Sequence, residues 1–298
     1  MCGFTGFYAL NEKRNREEGR CIAKAMADTI AHRGPDFGDV WQDPEAPLSL
    51  AHRRLSILDL SEYGNQPMVS ESDRYVIVFN GEVYNHLSLR QQYLGAHKFK
   101  GHSDTETLLA LIELRGFEKT LNDIHGMFAF ALWDRKQRIL HFARDRFGKK
   151  PLYIGWAGDH LVFGSELKAL RAHPDFKAEI DHKSLALYTQ YNCVPAPSCI
   201  YRGIWQLKPG NYMSLSLDDL RSDTSLKYRM EGYWKTSDIV RETPRTTMSG
   251  QEAVDTLDNL LKSCVQDRML SDVPLGAFLS GGIDSTCLLY TSPSPRDA

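Results

Sequence analysis

An α+β fold, followed by the opening of an α/β unit, is what the sequence predicts, and three observations carry that expectation. Segments 127–134, 138–144 and 152–156 are consecutive strand-like runs divided by short polar connections, the pattern of antiparallel neighbours. Amphipathic helical segments stand apart from them rather than alternating one for one. Near the carboxy end, a short apolar strand at 274–279 runs straight into Ser280-Gly281-Gly282-Ile283-Asp284-Ser285 and a fresh helical pattern.

The first strand is read at residues 2–10, where small and large apolar side chains alternate. It would hold Cys2 on a rigid element. If Met1 is removed, which the small neighbour permits, Cys2 carries a thiol of reference pKa ~8.5 beside a free α-amine of about 7.7 to 8.0. Nucleophile and base then share one residue. A second-position cysteine alone is more often incidental, so the rest of the chain has to raise or lower that reading.

A helix is expected at 17–31 with Cys21, Ile22, Ala25, Met26 and Ile30 on its inner face, stopped by Gly34 and Pro35. His32-Arg33-Gly34-Pro35-Asp36 then reads locally as a helix end and turn, its basic residues at the favourable end of the dipole. Residues 48–60 alternate as a strand, with Arg53 and Arg54 in the middle. Side chains alternate between faces, so either one of the two arginines faces inward and needs an anion, or both reach solvent at an edge or bulge.

Asn80-Gly81, between 75–79 and 83–84, is a strong hairpin signal. The same dipeptide could aim an amide side chain and an open backbone N–H at one point, the donor pair that a thiol attacking an amide needs for its oxyanion. Ser103 and Glu106 make an S-x-x-E capping box, which accounts for Asp104 as a first-turn acid; alternatively its carboxylate binds an ammonium. The stretch 144–151 reads as a basic hairpin tip, and without a stacking platform or a second basic patch it is a poor nucleic-acid site. Residues 163–166 should cap a helix ending at 171, and Asp181 one from 183 to about 191, which Val194-Pro195-Ala196-Pro197 ends.

From 217 to 248 charged and hydroxyl residues dissolve the pattern, with Tyr233 and Trp234 available to pin a connection. Ser249-Gly250-Gln251-Glu252 is another capping box, opening a helix with Val254, Leu257, Leu261, Cys264 and Val265 inward. The glycines and serines at 280–285 can form a nest of N–H groups for a phosphate, although two glycines alone read equally well as a plain connection. Neither a Walker A pattern nor G-x-G-x-x-G is present, which disfavours P-loop kinases and dinucleotide dehydrogenases.

Composition sets the outer bounds. The 298 residues leave room for about two domains. With 42% apolar and 25% charged residues, the chain is globular in type. A formal charge of −2 argues against nucleic acid or an acidic membrane as a bulk-charge partner. No apolar run approaches the ~18 residues of a membrane span, and the start lacks the basic-then-apolar form of a signal peptide, so a cytoplasmic protein is expected. Six cysteines with no C-x-x-C pair, and no metal spacing with the ten histidines, disfavour a disulfide or zinc framework, and no metal ligand is assigned.

Together these stretches resemble the glutamine-dependent asparagine synthetase family, in which a class II (N-terminal nucleophile) glutaminase domain is joined to an ATP-pyrophosphatase domain. The resemblance rests on Met1-Cys2-Gly3, 32–36, 54–59, Asn80-Gly81-Glu82-Val83-Tyr84-Asn85, 103–106, 144–153, Ser165-Glu166 and 280–285, which occur in family order. It implies a four-layer αββα glutaminase over 1–217, a linker over 218–248 and the start of the α/β ATP-pyrophosphatase domain over 249–298.

The resemblance further implies that Cys2 attacks the glutamine side-chain amide, with Asn80 and Gly81 as the oxyanion hole. Arg54 would pair with the substrate α-carboxylate and Asp104 with its α-ammonium, while Glu82 and the backbone of Leu55, Ser56, Ile57 and Leu58 line the pocket. In the second domain, Leu279, Ser280, Gly281, Gly282, Asp284 and Ser285 match the pyrophosphate loop for ATP, and Asp284 could help hold magnesium. No cofactor is implied for the glutaminase. The implied partners are L-glutamine and L-aspartate or another carboxylate acceptor; a homodimer is one assembly open to the chain, and the sequence does not decide it.

The run 290–298, with its prolines, breaks the helix that should follow the loop and reads as a foreign or frame-shifted tail. On that reading the chain as given hydrolyses glutamine but makes no asparagine. Three alternatives stay open from sequence: a related synthase amidating a different carboxylate, a phosphoribosyl- or glucosamine-type amidotransferase, which should lack the 280–285 loop, and a non-catalytic relic.

Overall fold

β1 (Gly3–Ala9) is buried along all seven residues, and two sheets are organised around it and around β5 (Tyr75–Val83). The structure is a computed structural model and describes residues 2–10, 15–216, 229–243, 248–278, 280–284 and 286–287. In spatial order the first sheet comprises β10 (Ile204–Gln206), β8 (Tyr153–Ala157), β9 (His160–Gly164), β1, β3 (Leu48–Arg54) and β2 (Phe37–Gln42). The second comprises β12 (Glu231–Gly232), β11 (Asn211–Ser216), β7 (Ile139–Arg144), β6 (Gly126–Asp134), β5 and β4 (Met68–Val69). Every pairing is antiparallel.

Alternation along the strands sorts the apolar side chains into three layers. Phe4 and Tyr8 of β1 join Leu50, Val76, Val78, Trp133 and Phe163 between the sheets. Phe7, of opposite parity, packs outward with Ala23 and Met26 of α1 (Arg16–Asp28) and Leu170 of α5 (Leu167–Arg171). On the far side, Ile77, Phe79 and Phe130 meet Leu108 and Leu111 of α3 (Asp104–Arg115) and Leu121 of α4 (Phe117–Asp123). Helix, sheet, sheet, helix is the expected αββα order. α2 (His86–Tyr93) and α6 (His182–Tyr191) complete the helices of this part, and Asp181 caps α6 as expected by accepting from Lys183 N.

Several expectations are corrected. Asn80-Gly81 makes no hairpin: β5 runs unbroken through it, paired with β6 from Tyr75↔Asp134 to Val83↔Gly126. Gly81 is required by crowding instead, since a Cβ there would meet Met127 O at 2.2 Å. The 144–151 stretch is no hairpin tip, because β7 and β8 belong to different sheets and the loop carries the chain from one to the other. The charges of Arg144, Asp145 and Lys150 are buried, while Lys149 is exposed. Buried Arg144 donates to the carbonyls of Lys150, Leu207 and Gly148, and the Asp145 carboxylate collects the N–H groups of Phe147, Lys149, Lys150 and Phe128.

The buried face of α1 lies one step round from the expected stripe, with Gly19, Ala23, Met26 and Ala27 inside and Cys21 exposed. Gly19 lets the helix approach Gln42 and Ser49 closely, and that contact sets the rotation. Ser165 does not cap α5; its Oγ accepts from Phe4 N at 3.1 Å. In the capping box at 103–106 only half forms. Ser103 Oγ accepts from Thr105 N and Glu106 N, whereas Glu106 turns back to Lys100 N and Gly101 N.

Beyond the sandwich, Tyr233 and Trp234 pin the connection, with Tyr233 Oη donating to Arg144 O and the Trp234 ring 5.1 Å from that of Phe147. A short helix, α7 (Thr236–Glu242), lies where the sequence pattern dissolves. Then α8 (Gly250–Gln266) opens on the complete Ser249/Glu252 capping box but buries none of its residues; Val254 and Leu257 are 59% and 55% exposed. Residues 274–278 form no strand, having no neighbour among the described residues to take their N–H and C=O groups. Leu279, Ser285 and 290–298 lie outside the described residues. Among those described, no helix is long and apolar enough to cross a membrane.

Candidate active site

The parity that sends Phe4 and Tyr8 between the sheets sends Cys2 there as well, at the open end of β1. From the facing sheet, Asn80 has the parity of Val76 and Val78 and points into the same space. On β3, Leu48 and Leu50 point inward, so Arg54 does too, while Arg53 faces out and ion-pairs with Asp28 at the end of α1. The inward-cation alternative is therefore the one realised. These side chains meet in a pocket of about 70 Å³ lined by Cys2, Arg54, Asn80, Gly81, Glu82 and Asp104, with Leu55, Ile57 and Leu58.

Each wall is held by identifiable bonds. Cys2 Sγ lies 3.3 Å from Leu55 N and 3.5 Å from Leu55 O. Burial pushes its thiol pKa up, the Leu55 hydrogen bond opposing, so the sulfur is protonated at neutral pH unless a base takes the proton. Arg33 Nε donates to Cys2 O at 2.9 Å and its Nη1 to Glu166 Oε1 at 2.9 Å. Gly3 makes this possible, because a Cβ there would sit 2.8 Å from Arg33 Cδ. The 32–36 motif is thus more than a turn: Arg33 fixes the backbone of the cysteine, and Asp36 holds Ser56 N at 2.7 Å.

The outer edge of β5 presents alternate N–H groups. Those of Tyr75, Phe79 and Val83 are taken by Ser70 Oγ, Gln66 Oε1 and Asp104 Oδ2 respectively. Gly81 N–H belongs to this series and faces the pocket. Beside it, both Asn80 Nδ2 and Oδ1 are buried without a hydrogen-bond partner. Such a group costs about 1–3 kcal/mol if nothing ever meets it.

Asp104 is buried, and desolvation, reinforced by Glu82, pushes its carboxyl up to about 6 despite the Val83 N–H. Glu82 is also raised by burial, with Lys150 and Arg268 opposing. Arg54 is enclosed by its own loop: Nη1 donates to Ser61 O at 2.7 Å and Asn65 Oδ1 at 2.8 Å, and Nη2 to Asp59 O.

Of the residues expected at the site, only Ser56 does not line the pocket; its N–H is turned to Asp36. Sequence reading missed Arg33, Gln66 and Lys150. Gln66 braces Phe79 N and reaches Thr105 Oγ1, and Lys150 lines the pocket with an ammonium whose pKa burial pushes down. A lone amide in a loop carries no local signal, whereas Arg33 and Lys150 lay inside the motifs already singled out.

Elsewhere, His160, His173 and Asp175 bring one ligand atom each within 4.8 Å of one another. There carboxylate oxygens of Asp159 and Asp175 lie 3.0 and 3.2 Å from His160 Nδ1, and the rings of His160 and His173 pack edge-on to Phe7. The described part of the expected pyrophosphate loop has Gly281 at φ +76° and Ser280 Oγ accepting from Gly282 N at 3.4 Å.

Residues 1–229 match the glutamine amidotransferase domain family, and residues 256–292 match asparagine synthase. The chain is 36% identical over 293 residues to "Asparagine synthetase [glutamine-hydrolyzing] 3" of Bacillus subtilis, covering 97% of this chain and 44% of that one. It is 33% identical to "Putative asparagine synthetase [glutamine-hydrolyzing] 2" of Methanocaldococcus jannaschii, covering 97% and 56%. It therefore spans roughly half the length of these relatives or less. Among solved structures, the allosteric regulatory enzyme of purine biosynthesis superposes with a TM-score of 0.55 at 20% identity, over 79% of this chain and 50% of that one. The glutamine phosphoribosylpyrophosphate amidotransferase of B. subtilis, complexed with ADP and GMP, gives 0.54 at 19%, over the same shares. At these identities the two structures establish the shared fold.

Proposed function

The chain belongs to the glutamine amidotransferase domain family, and from that membership we propose that its pocket hydrolyses the side-chain amide of L-glutamine with Cys2 as nucleophile. Removal of Met1 leaves the α-amine of Cys2 beside its own sulfur, the base that a thiol kept protonated by burial requires. Sγ attacks the amide carbon and its proton passes to the amine. The oxyanion that forms is received by Asn80 Nδ2 and Gly81 N–H. When the C–N bond breaks, the proton leaves with ammonia. Water then cleaves the thioester, releasing glutamate and restoring the thiol.

The substrate's charged end fits the other wall. Arg54 supplies a cation at the α-carboxylate and Asp104 an anion at the α-ammonium, with Ile57, Leu58 and Glu82 around them. The observation that carries the reading is the buried, unpartnered amide of Asn80 on the face shared with Cys2. In a relic with no ligand to meet it, that amide would be an uncompensated cost.

We also propose that the ammonia is destined for a carboxylate activated by ATP, L-aspartate in the first instance, in a protein whose two half-reactions divide at the 218–248 connection. Support comes from the 256–292 match and from the printed names of the relatives. Gly281 has the left-handed conformation that a nest of N–H groups for pyrophosphate uses, and Asp284 could help hold the magnesium. The net charge of −2 suits small-molecule partners better than nucleic acid or an acidic membrane surface.

The test is glutamate and ammonia release by the purified chain after its amino-terminal mass has been measured. Expected is steady hydrolysis by the Met-free form and loss of at least about 10⁴-fold in Cys2→Ala. Equal rates in the two proteins would contradict the proposal.

A further inference from the structure

The segment after α8 returns to the pocket and bonds to the loop that forms one of its walls. Asp272 Oδ2 accepts from Asp59 N at 2.6 Å and meets His102 Nε2 at 2.6 Å. Asp272 N–H donates to Ile57 O at 2.9 Å. Four residues earlier, the Arg268 guanidinium lies 4.5 Å over the ring of Tyr84, which follows the Asn80–Val83 wall. One short segment therefore touches both rims of the pocket.

Asp59 is the hub these bonds reach. It is fully buried with a φ of +58°, a conformation that aspartate tolerates better than most residues. Its carboxylate accepts from Ser61 N at 3.1 Å and His102 N at 2.9 Å, and its carbonyl receives Arg54 Nη2. The N–H taken by Asp272 and the carbonyl that orients Arg54 belong to the same residue. Gly101 is needed beside it, because a Cβ there would meet Asp59 Oδ2 at 2.1 Å.

We propose that Asp272 is a positioning residue for the pocket: by fixing Asp59 and Ile57 it holds Arg54 and the 55–65 loop in their binding geometry, so the carboxy-terminal segment sets the affinity of the amino-terminal site. This rests on the reading that the pocket binds glutamine. Asp272 touches neither Cys2 nor Asn80, so the bond-breaking steps are untouched by its loss. Its side chain is 36% exposed and that of His102 57%, so the effect is moderate.

The test compares wild type with Asp272→Ala, Asp272→Asn and His102→Ala in the full chain, measuring glutaminase KM and kcat together with amide hydrogen exchange over 55–65. Expected for Asp272→Ala is a KM for glutamine raised roughly three- to tenfold with kcat within about twofold, and faster exchange of the loop. Asp272→Asn, which keeps an acceptor for Asp59 N–H, recovers most of both, and His102→Ala has the smaller effect. Unchanged exchange in Asp272→Ala would overturn the contact whatever ligand the pocket takes. Faster exchange with an unchanged KM would overturn the claim on affinity, as would a fall in kcat alone. A wild-type chain with no glutaminase activity at all would instead overturn the function on which the claim rests.

Discussion

Cys2 extends β1, and Asn80 and Gly81 lie within β5, two strands whose neighbours pair with them residue by residue, whereas Arg54 ends β3 and Ile57 and Leu58 lie beyond it, in a loop held by the Arg54 guanidinium and by the Asp272 N–H on Ile57 O. The two walls share one pocket and depend on different physics. The strand wall inherits its geometry from apolar burial between two sheets, which a point change in the pocket hardly disturbs. The loop wall is a network of hydrogen bonds centred on Asp59 and closed from outside by Asp272, where each deletion leaves other groups unpaired. On the proposed function the reacting atoms belong to the first wall and the contact with the substrate carboxylate to the second, so damage to the two should separate in the kinetics.

The largest separation is expected at Asn80. Asn80→Ala removes one of the two proposed oxyanion donors and should lower kcat about 10²- to 10³-fold with KM little changed, measured by steady-state ammonia release. An equal rise in KM would erase the distinction between the walls. Next comes Arg54→Lys, which keeps the charge and loses the planar fork that satisfies Ser61 O, Asn65 and Asp59 O together. There KM should rise roughly 10- to 100-fold with a much smaller change in kcat.

Asp104 gives a pH test. Its carboxyl, pushed up to about 6, must be ionised to receive an ammonium. Hence kcat/KM should fall towards tenfold per pH unit below about 6, and Asp104→Asn should remove that limb along with most of the affinity. The same group yields the smallest prediction, on stability. A carboxyl whose folded pKa lies above its unfolded value binds protons more tightly when folded, so its contribution is most favourable below pH ~4 and is lost as pH rises to about 6. The cost above that, about 3 kcal/mol, should vanish in Asp104→Asn, raising Tm by a few degrees at neutral pH in calorimetry while binding is lost.

Sequence legibility followed the same division. The strand wall was readable because alternation is a local property: residues 2–10 and 75–79 announced their strands, whereas alternation at 53 and 54 left open whether one arginine faces inward or both reach solvent at an edge or bulge. Asn80-Gly81 misled as to the turn because local preference favours a hairpin, while the register with β6 and the crowding at Met127 O are tertiary facts. The loop wall was legible only through the family resemblance. Its bonds join residues 59, 102 and 272, and no periodicity links positions so far apart. The exposed stripe of α8 and the absence of a strand at 274–278 have the same origin, since a pattern states which face wants burial but supplies no neighbour to bury it.

The central claim, that a processed Cys2 attacks a glutamine held between these walls, is tested most directly by exposing the purified chain to an electrophilic glutamine analogue and reading intact and peptide masses. One adduct per chain, on the Cys2 sulfur of Met-free protein, slowed by competing L-glutamine and absent in Cys2→Ala, is the expected result. An adduct on another cysteine, or labelling that L-glutamine does not slow, would contradict the account.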